Sequence, residues 1–485
     1  MTFLSKSKYM VGLQCPQLLW VNYNAKVELP EVGERQQAIF DQGNLVGEWA
    51  KKPFPKGLGV KWNQGFNEVI KESKELLKKR VPLFEAGFKH KNAYSRLDVL
   101  KPVGQDEWDI IEVKSGTKID KNVNYDDVSF QKYCCEGNGL KIRKCFLMYI
   151  NKEYVRQGEI NPEELFQIEE ISKKVDELLP FVEDKINTMM KTIEGKRPNI
   201  EIGPQCKSPY VCPLIDECWK FLPENNVFDL TRIGKKGFDL LNEGIQEIKD
   251  IPSGYKLTDK QSIQKDTIVN NSKHMDKAAI KAFLGTLKYP IHYFDFETIN
   301  PVIPIYDGMK SYQHVPFQFS LHIQQEDGKV EHFEYLHDGK DDPRPNLLKE
   351  MKNAFQDKGS VVVYYQSFEK GKLKELAEAF PKYKEWVDSI ITRLVDLYEP
   401  FSKFLYYDPI QKGSVSLKAT MPALTGVGYK DLEISDGSMT MRAYSQITFG
   451  KVTKYEKIKI RKHMLKYCGQ DTEGMIWMVN NLRVT

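Results

Sequence analysis

Apolar residues recur along this chain at two spacings. In HKNAYSRLDVLKPVGQDEWDIIEVKSGTK they alternate with polar ones, which predicts strands over 93–100 and 108–114 around a turn containing Gly104. Neighbouring residues of a strand face opposite sides, so Glu112 and Lys114 share one face while Ile111 and Val113 enter a core. Asp98 reaches the face of Glu112 from the adjoining strand. Upstream, FDQGNLVGEWAKKPFP predicts an amphipathic helix carrying Glu48, and VPLFEAGF a strand carrying Glu85. Downstream, NYDDVSFQKYCC predicts a helix carrying Gln131.

Period-two alternation returns in YPIHYFDFETINP, which puts Asp295 and Glu297 on one strand face. VVVYYQSFEKGKLKELAEAF predicts a buried strand over 361–365 running into a helix with Glu369 in its first turn. RLVDLYEPF ends a short apolar run on Asp396, and SVSLKATMPAL follows a break. In KHMLKYCGQDTEGMIWMVNNL helical spacing places Tyr467 and Asp471 on one face. Between these halves, residues 223–285 have helical periodicity broken at KKGF, IPSGY and NNSK. There IGKKGFDLLNEGIQEIKDIP suggests a helix pair whose turn could touch a phosphate backbone, or simply two packing helices.

At 485 residues the chain exceeds what one core sustains, and two or three domains are expected. It has no run of eighteen apolar residues, and MTFLSKSKYMVGLQC lacks the apolar stretch of a leader. The expectation is a soluble, cytoplasmic protein without a membrane partner. A net charge of +4, from 71 basic and 67 acidic residues, permits nucleic acid without demanding it. Eight cysteines are too few for a disulfide scaffold, yet three of them, Cys206, Cys212 and Cys218, fall at equal intervals in CKSPYVCPLIDECW. Evenly spaced thiols suit a metal. Structural zinc favours gaps of two to four residues, so the gaps here tilt towards iron-sulfur, with zinc and buried free thiols as alternatives. Cys134, Cys135, Cys145 and Cys468 have no such pattern and read as small buried residues.

Asp98, Glu112 and Lys114 are the kind of set that metal-assisted phosphodiester cleavage requires, two hard carboxylates beside an ammonium, although a salt-bridged surface hairpin has the same residues. In order, Asp98, Glu112, Lys114 and Gln131, preceded by SKSKYMVGLQCPQLLW, resemble the RecB-like branch of the PD-(D/E)XK nucleases, including the iron-sulfur nucleases associated with CRISPR systems. The resemblance spans about the first 220 residues. It implies a restriction-endonuclease-like fold, Mg²⁺ or Mn²⁺ at the acidic site, and a [4Fe-4S] cluster on Cys15, Cys206, Cys212 and Cys218. That family often carries a metal-ligating His on its first helix; here Gly47 stands there, and Glu48 is the nearest candidate.

The second constellation, D-x-E on a strand, an acid at a helix start and Y-x-x-x-D on a last helix, resembles the DEDDy branch of the ribonuclease-H-like 3'-5' exonucleases over 286–485. The resemblance implies Asp295, Glu297, Glu369 and Asp471 as metal ligands, Tyr467 as the residue that positions water, and Asp396 as a supplementary ligand or a strand cap. Glu369 replaces the usual Asp of that family, with Gln366 near its usual Asn. The whole is then an α/β chain: a nuclease with an iron-sulfur cluster over 1–222, a helical connector over 223–285 and an exonuclease with a mixed sheet over 286–485, acting on DNA. Rival expectations are an RNA nuclease, a nucleic-acid binder with one live site, and a redox protein whose working part is the cluster.

Overall fold

A computed structural model describes residues 2–61, 65–121 and 123–484. It is mixed α/β, and its contacts divide it into two units, Met1–Phe221 with Val302–Tyr312, and Leu222–Pro301 with Gln313–Thr485. Residues 223–285 thus pack within the second unit.

The first unit is built on a sheet of β1 (Leu4–Ser5), β2 (Leu58–Gly59), β3 (Leu83–His90), β4 (Ala93–Val103), β5 (Glu107–Lys114), β6 (Lys141–Ile150) and β7 (Phe166–Glu170). The order is β2-β3-β4-β5-β6-β7, with β1 pairing β4. β3, β4 and β5 form an antiparallel meander, and the helix Asn124–Glu136 then carries the chain across to β6, parallel to β5. The predicted hairpin is therefore no surface feature. β5 is covered on both faces: Trp108 and Ile110 pack with Tyr9, Leu19 and Phe130, while Ile111 packs with Val46 and Ala50 of the helix Glu34–Ala50. Coverage on two sides explains why its apolar run is longer than clean alternation allows.

The segment Val302–Tyr312 completes the second of these cores. Val302 and Ile303 are buried in it, Arg156 Nη1 donates to the Ile305 carbonyl at 2.6 Å, and the Tyr312 hydroxyl donates to the Ser115 carbonyl at 2.5 Å. Ile303→Ala should cost this unit roughly 2–4 kcal/mol. The check is its denaturant midpoint followed by Trp fluorescence; an unchanged midpoint would show that the segment contributes nothing to the core.

The second unit contains β8 (His274–Met275), β9 (Ile291–Ile299), β10 (Val315–Gln324), β11 (Val330–Leu336), β12 (Val361–Val363), β13 (Leu394–Asp396) and β14 (Tyr406–Tyr407). Five of these form one sheet in the order β11-β10-β9-β12-β13, with β10 antiparallel to both neighbours and β12 parallel to both of its own. Alternation sorts the residues of its central strands. Phe294, Phe296, Phe319 and Leu321 pack on Leu347, Leu373 and Val387 from helices on one face. The polar residues between them face the 31-residue helix Lys454–Val484, where Gln318 Nε2 donates to the Met464 carbonyl at 2.9 Å and Ser320 meets Thr472 at 2.7 Å.

Ahead of this sheet, Val227, Leu230, Leu240 and Ile248 form a small core of their own. The expected helix pair is one helix, Lys235–Asn242, followed after Gly244 by the 3-10 turn Ile248–Asp250. Gly244 has φ 83°, a left-handed value that ends the helix and sends the next residues into a turn. Among the described residues, no helix is long and apolar enough to cross a membrane.

Candidate functional site

In the first unit the pairs Val99–Ile111 and Leu100–Ile110 set the β4–β5 register, and one step further brings Asp98 beside Glu112. The β3–β4 pairs Phe84–Val99 and Ala86–Leu97 bracket Glu85 and Asp98 in the same way. Glu85, Asp98 and Glu112 therefore form one row across three strands. Glu85 holds φ 59° inside its strand, a conformation that a non-glycine residue adopts at a cost and that clusters at working sites. Its carboxylate pairs with Arg96 at 2.9 Å.

The row borders a cleft of about 1030 Å³, lined also by Lys6, Glu48 and Lys114. Asp98 Oδ2 accepts the Val113 backbone N–H at 2.8 Å, which ties it to the end of β5. Glu112 is buried and fully engaged: Oε1 accepts from Lys6 and Lys114 at 2.8 and 2.7 Å, and Oε2 from Gln131 Nε2 at 2.7 Å. Lys114 and Gln131 also donate to Asp127, at 2.6 and 3.0 Å. Burial pulls the Lys6 and Lys114 ammoniums down, but Asp127 and Glu112 outweigh it and hold both above their ordinary values. Both lysines stay charged, so Lys114 is suited to orienting a water rather than deprotonating it. Glu48 is exposed and paired with Lys51 at the cleft's rim, and Gly47 lines the same cleft. Sequence reasoning missed Lys6 and Asp127. Asp127 lies four residues before Gln131 on one helix, so helical spacing could have found it, whereas Lys6 reaches Glu112 from 106 residues away.

Cys15 and the three cysteines of CKSPYVCPLIDECW border one small cavity with Ile200, Ile202 and Leu214. Cys15 lies between the helices Lys6–Gln14 and Pro16–Asn24, and Cys206 accepts the backbone N–H of Cys212 through its carbonyl at 2.8 Å. Burial raises the Cys212 thiol to about 11, and the nearby Cys15, Cys206 and Cys218 add to it. Four thiols on one small pocket could hold a soft metal group. Among the described residues, the one trio of ligand atoms lying within 4.8 Å of each other is elsewhere, at Asp295, Glu297 and Cys468.

That trio belongs to the second unit, where β9 meets the Lys454–Val484 helix. Tyr467, Cys468 and Asp471 lie on the helix face turned towards Asp295 and Glu297, and Cys468 Sγ stands 3.9 Å from Asp295 Oδ2. Glu369 joins from the first turn of the helix Gln366–Ala379. Glu297, Glu369 and Asp471 are buried, and among the described residues Glu369 Oε2 has no hydrogen-bond partner. Burial raises Asp295, with Asp471 adding to it, and raises Glu297, with Asp295 and Asp471 adding. Burial, then the charge of Asp295, lifts Glu369 to about 9. Asp471 rises only to about 6, because the Tyr429 hydroxyl donates to it and Lys418 is near.

Lys418 hangs over Tyr429 and Tyr467, 5.5 and 5.1 Å from their ring centroids, and its ammonium donates to the Ser435 carbonyl at 2.6 Å. One ammonium does not balance four carboxylates. Hard oxygen ligands crowded in a buried site, one with a free lone pair, are what Mg²⁺ or Mn²⁺ fits. Asp396 instead holds a turn, since its Oδ1 accepts the backbone N–H groups of Tyr365 and Tyr398, each at 3.0 Å. Tyr429, Lys418 and the placement of Cys468 carried no signal in the sequence.

A family described as a domain of unknown function (DUF2779) matches residues 292–416, the stretch with Asp295, Glu297, Glu369 and Asp396. The chain is 28% identical over 230 residues to the uncharacterized protein UU173 of Ureaplasma parvum serovar 3, covering 43% of this chain and 33% of that protein. It is 25% identical over 206 residues to the uncharacterized protein MG366 of Mycoplasma genitalium, covering 39% of this chain and 31% of that protein. The matches thus span about a third of the length of these curated relatives.

Proposed function

We propose that this protein is a divalent-metal-dependent nuclease that hydrolyses phosphodiester bonds of DNA, with a 3'-5' exonucleolytic site in its second unit. The observation that carries the reading is the crowded set Asp295, Glu297, Glu369 and Asp471, whose carboxyls are all pushed up and whose ionised form a divalent cation would stabilise. Support comes from the strand order β11-β10-β9-β12-β13 with a single antiparallel central partner, which agrees with a ribonuclease-H-like fold. The meander-helix-strand succession of β3 to β6 agrees likewise with a restriction-endonuclease-like first unit.

Asp295, Glu297, Glu369 and Asp471 would hold Mg²⁺ or Mn²⁺, which when bound supplies the positive charge that an attacking water and a departing oxygen need. Tyr467, on the same helix face as Asp471, would orient that water through its hydroxyl, which burial keeps protonated. Tyr429 fixes the Asp471 carboxylate by donating to Oδ1, and Lys418, although burial lowers its ammonium, would supply positive charge next to Tyr467 and the acid cluster. In the first unit Asp98 and Glu112 would hold a cation and Lys114 would orient a water. On Cys15, Cys206, Cys212 and Cys218 a [4Fe-4S] cluster would act as a structural clasp.

A second reading has one specific observation behind it. Both Glu112 oxygens are already taken by Lys6, Lys114 and Gln131, so that carboxylate is satisfied without a cation and the first site could serve as grip alone. Oxygen-free protein, offered end-labelled single- and double-stranded DNA and RNA with Mg²⁺, Mn²⁺ or chelator, separates the two. Asp295→Ala should slow 3'-end shortening on the order of 100-fold or more. A Glu112→Ala variant that leaves all cleavage intact would favour grip. Cleavage in chelator, or none on any substrate, would end the nuclease proposal.

A further inference from the structure

Four cysteines lie outside the pocket of Cys15, Cys206, Cys212 and Cys218, and they are not alike. Cys134, Cys135 and Cys145 are buried in the apolar core of the first unit, where a small hydrophobic side chain needs no further reason. Cys468 is equally buried but faces carboxylates. Its Sγ, one oxygen of Asp295 and one of Glu297 all lie within 4.8 Å of one another, and Sγ stands 3.9 Å from Asp295 Oδ2. Two elements converge to make this trio: β9 presents both carboxylates, and the helix Lys454–Val484 brings the sulfur to them. A second observation points to a cation in the same place. Glu369 is 3% exposed, its Oε2 has no hydrogen-bond partner among the described residues, and the charge of Asp295 acts on it.

A thiol is a weak hydrogen-bond donor, so its contact with Asp295 brings little stability by itself. As a metal ligand the same sulfur is well placed. Metal–oxygen and metal–sulfur bonds of about 2.1 and 2.3 Å, meeting at a tetrahedral angle, separate oxygen from sulfur by about 3.6 Å. The separation of 3.9 Å needs to close only slightly. We infer that Cys468 is a sulfur ligand of the cation that Asp295 and Glu297 hold, and that this site takes a divalent transition ion in preference to Mg²⁺. The inference rests on the metal site of the nuclease reading and names the class of ion that fills it. Mg²⁺ takes oxygen ligands and would use the carboxylates alone, whereas a transition ion gains the thiolate bond as well, increasingly from Mn²⁺ to Zn²⁺. Burial keeps the proton on this thiol, and a coordinating ion displaces it to solvent.

The test titrates oxygen-free, full-length parent, Cys468→Ser and Asp295→Asn with Co²⁺, following the near-ultraviolet charge transfer from sulfur to cobalt. The cysteines of the first unit contribute equally to all three, so difference spectra isolate Cys468. The parent should show a saturable band that both Cys468→Ser and Asp295→Asn lose. Mn²⁺ binding, followed by the paramagnetic resonance of the free ion, should weaken at least about 10-fold in Cys468→Ser. The rise in melting temperature given by Mg²⁺ should match the parent's. Cys468→Ala should repeat these results, so that a fold lost in one variant leaves the other to decide. No band in the difference between parent and Cys468→Ser, or unchanged Mn²⁺ affinity, overturns the inference and leaves the nuclease reading standing. Co²⁺ and Mn²⁺ binding that Asp295→Asn leaves unaltered removes the cation from this site and overturns both.

Discussion

Asp295→Asn should raise the melting temperature of the metal-free protein while removing most of its stabilisation by Mg²⁺. Asp295, Glu297, Glu369 and Asp471 crowd one site with Lys418 as the nearby cation; burial pushes all four carboxyls up, and repulsion by neighbouring carboxylates adds to it at Asp295, Glu297 and Glu369. An amide of the same shape removes one repelling charge without opening a cavity. The gain should be about 1–2 kcal/mol, or roughly 2–8 °C. Sites kept for function rather than stability behave in this way.

The pH dependence follows in sign. Glu369 is raised from an ordinary 4.5 to about 9 in the folded chain, and Asp471 from 3.8 to about 6. Folded, these groups keep protons that the unfolded chain has already lost, so stability is greatest at low pH and declines as pH rises through the folded values. In chelator the protein should melt lower at about pH 8.5 than at about pH 5.5, and Mg²⁺ should narrow the gap because it binds the ionised form. Equal melting at both pH values in chelator, or a lower melting temperature for Asp295→Asn, would mean that the cluster carries no such strain.

Cys15→Ala should be the other large loss. Its thiol shares a cavity with Cys206, Cys212 and Cys218 although nearly two hundred residues separate it from the first of them. Closing so long a loop is worth about 3–5 kcal/mol by analogy with a disulfide. Removing one ligand should lower iron and sulfide content and brown colour in oxygen-free preparations, and should melt the first unit early. Cys145→Ala, buried elsewhere in the same unit, is the control that should keep its iron. Iron content unchanged in Cys15→Ala would end the clasp proposal, and zinc in place of iron would redirect it.

Local rules carried the reading as far as single elements. Period two predicted β9 with Asp295 and Glu297 on one face, and a four-residue interval predicted that Tyr467 and Asp471 share a helix face. Both follow from backbone geometry alone. Local rules failed where the backbone broke its own pattern. β12 ends at Val363 instead of running to Tyr365, because Tyr365 adopts a left-handed conformation that Asp396 holds from another strand. Cys468 is buried as its lack of pattern suggested, and only packing shows that it stands against Asp295.

What the sequence by itself determined, then, is which residues can share a face: short-range spacing sets that, and no distant partner is needed. Tertiary structure alone decided which faces meet. Lys6 found Glu112, Tyr429 found Asp471, and Val302 and Ile303 found a core in the first unit, through contacts between residues far apart in the chain. Such pairings depend on the packing of whole elements, and no periodicity records them. The same holds for charge: a carboxylate's spacing is written in the chain, but whether it is balanced, as Glu112 is, or unpartnered, as one oxygen of Glu369 is, depends on what packing brings to it.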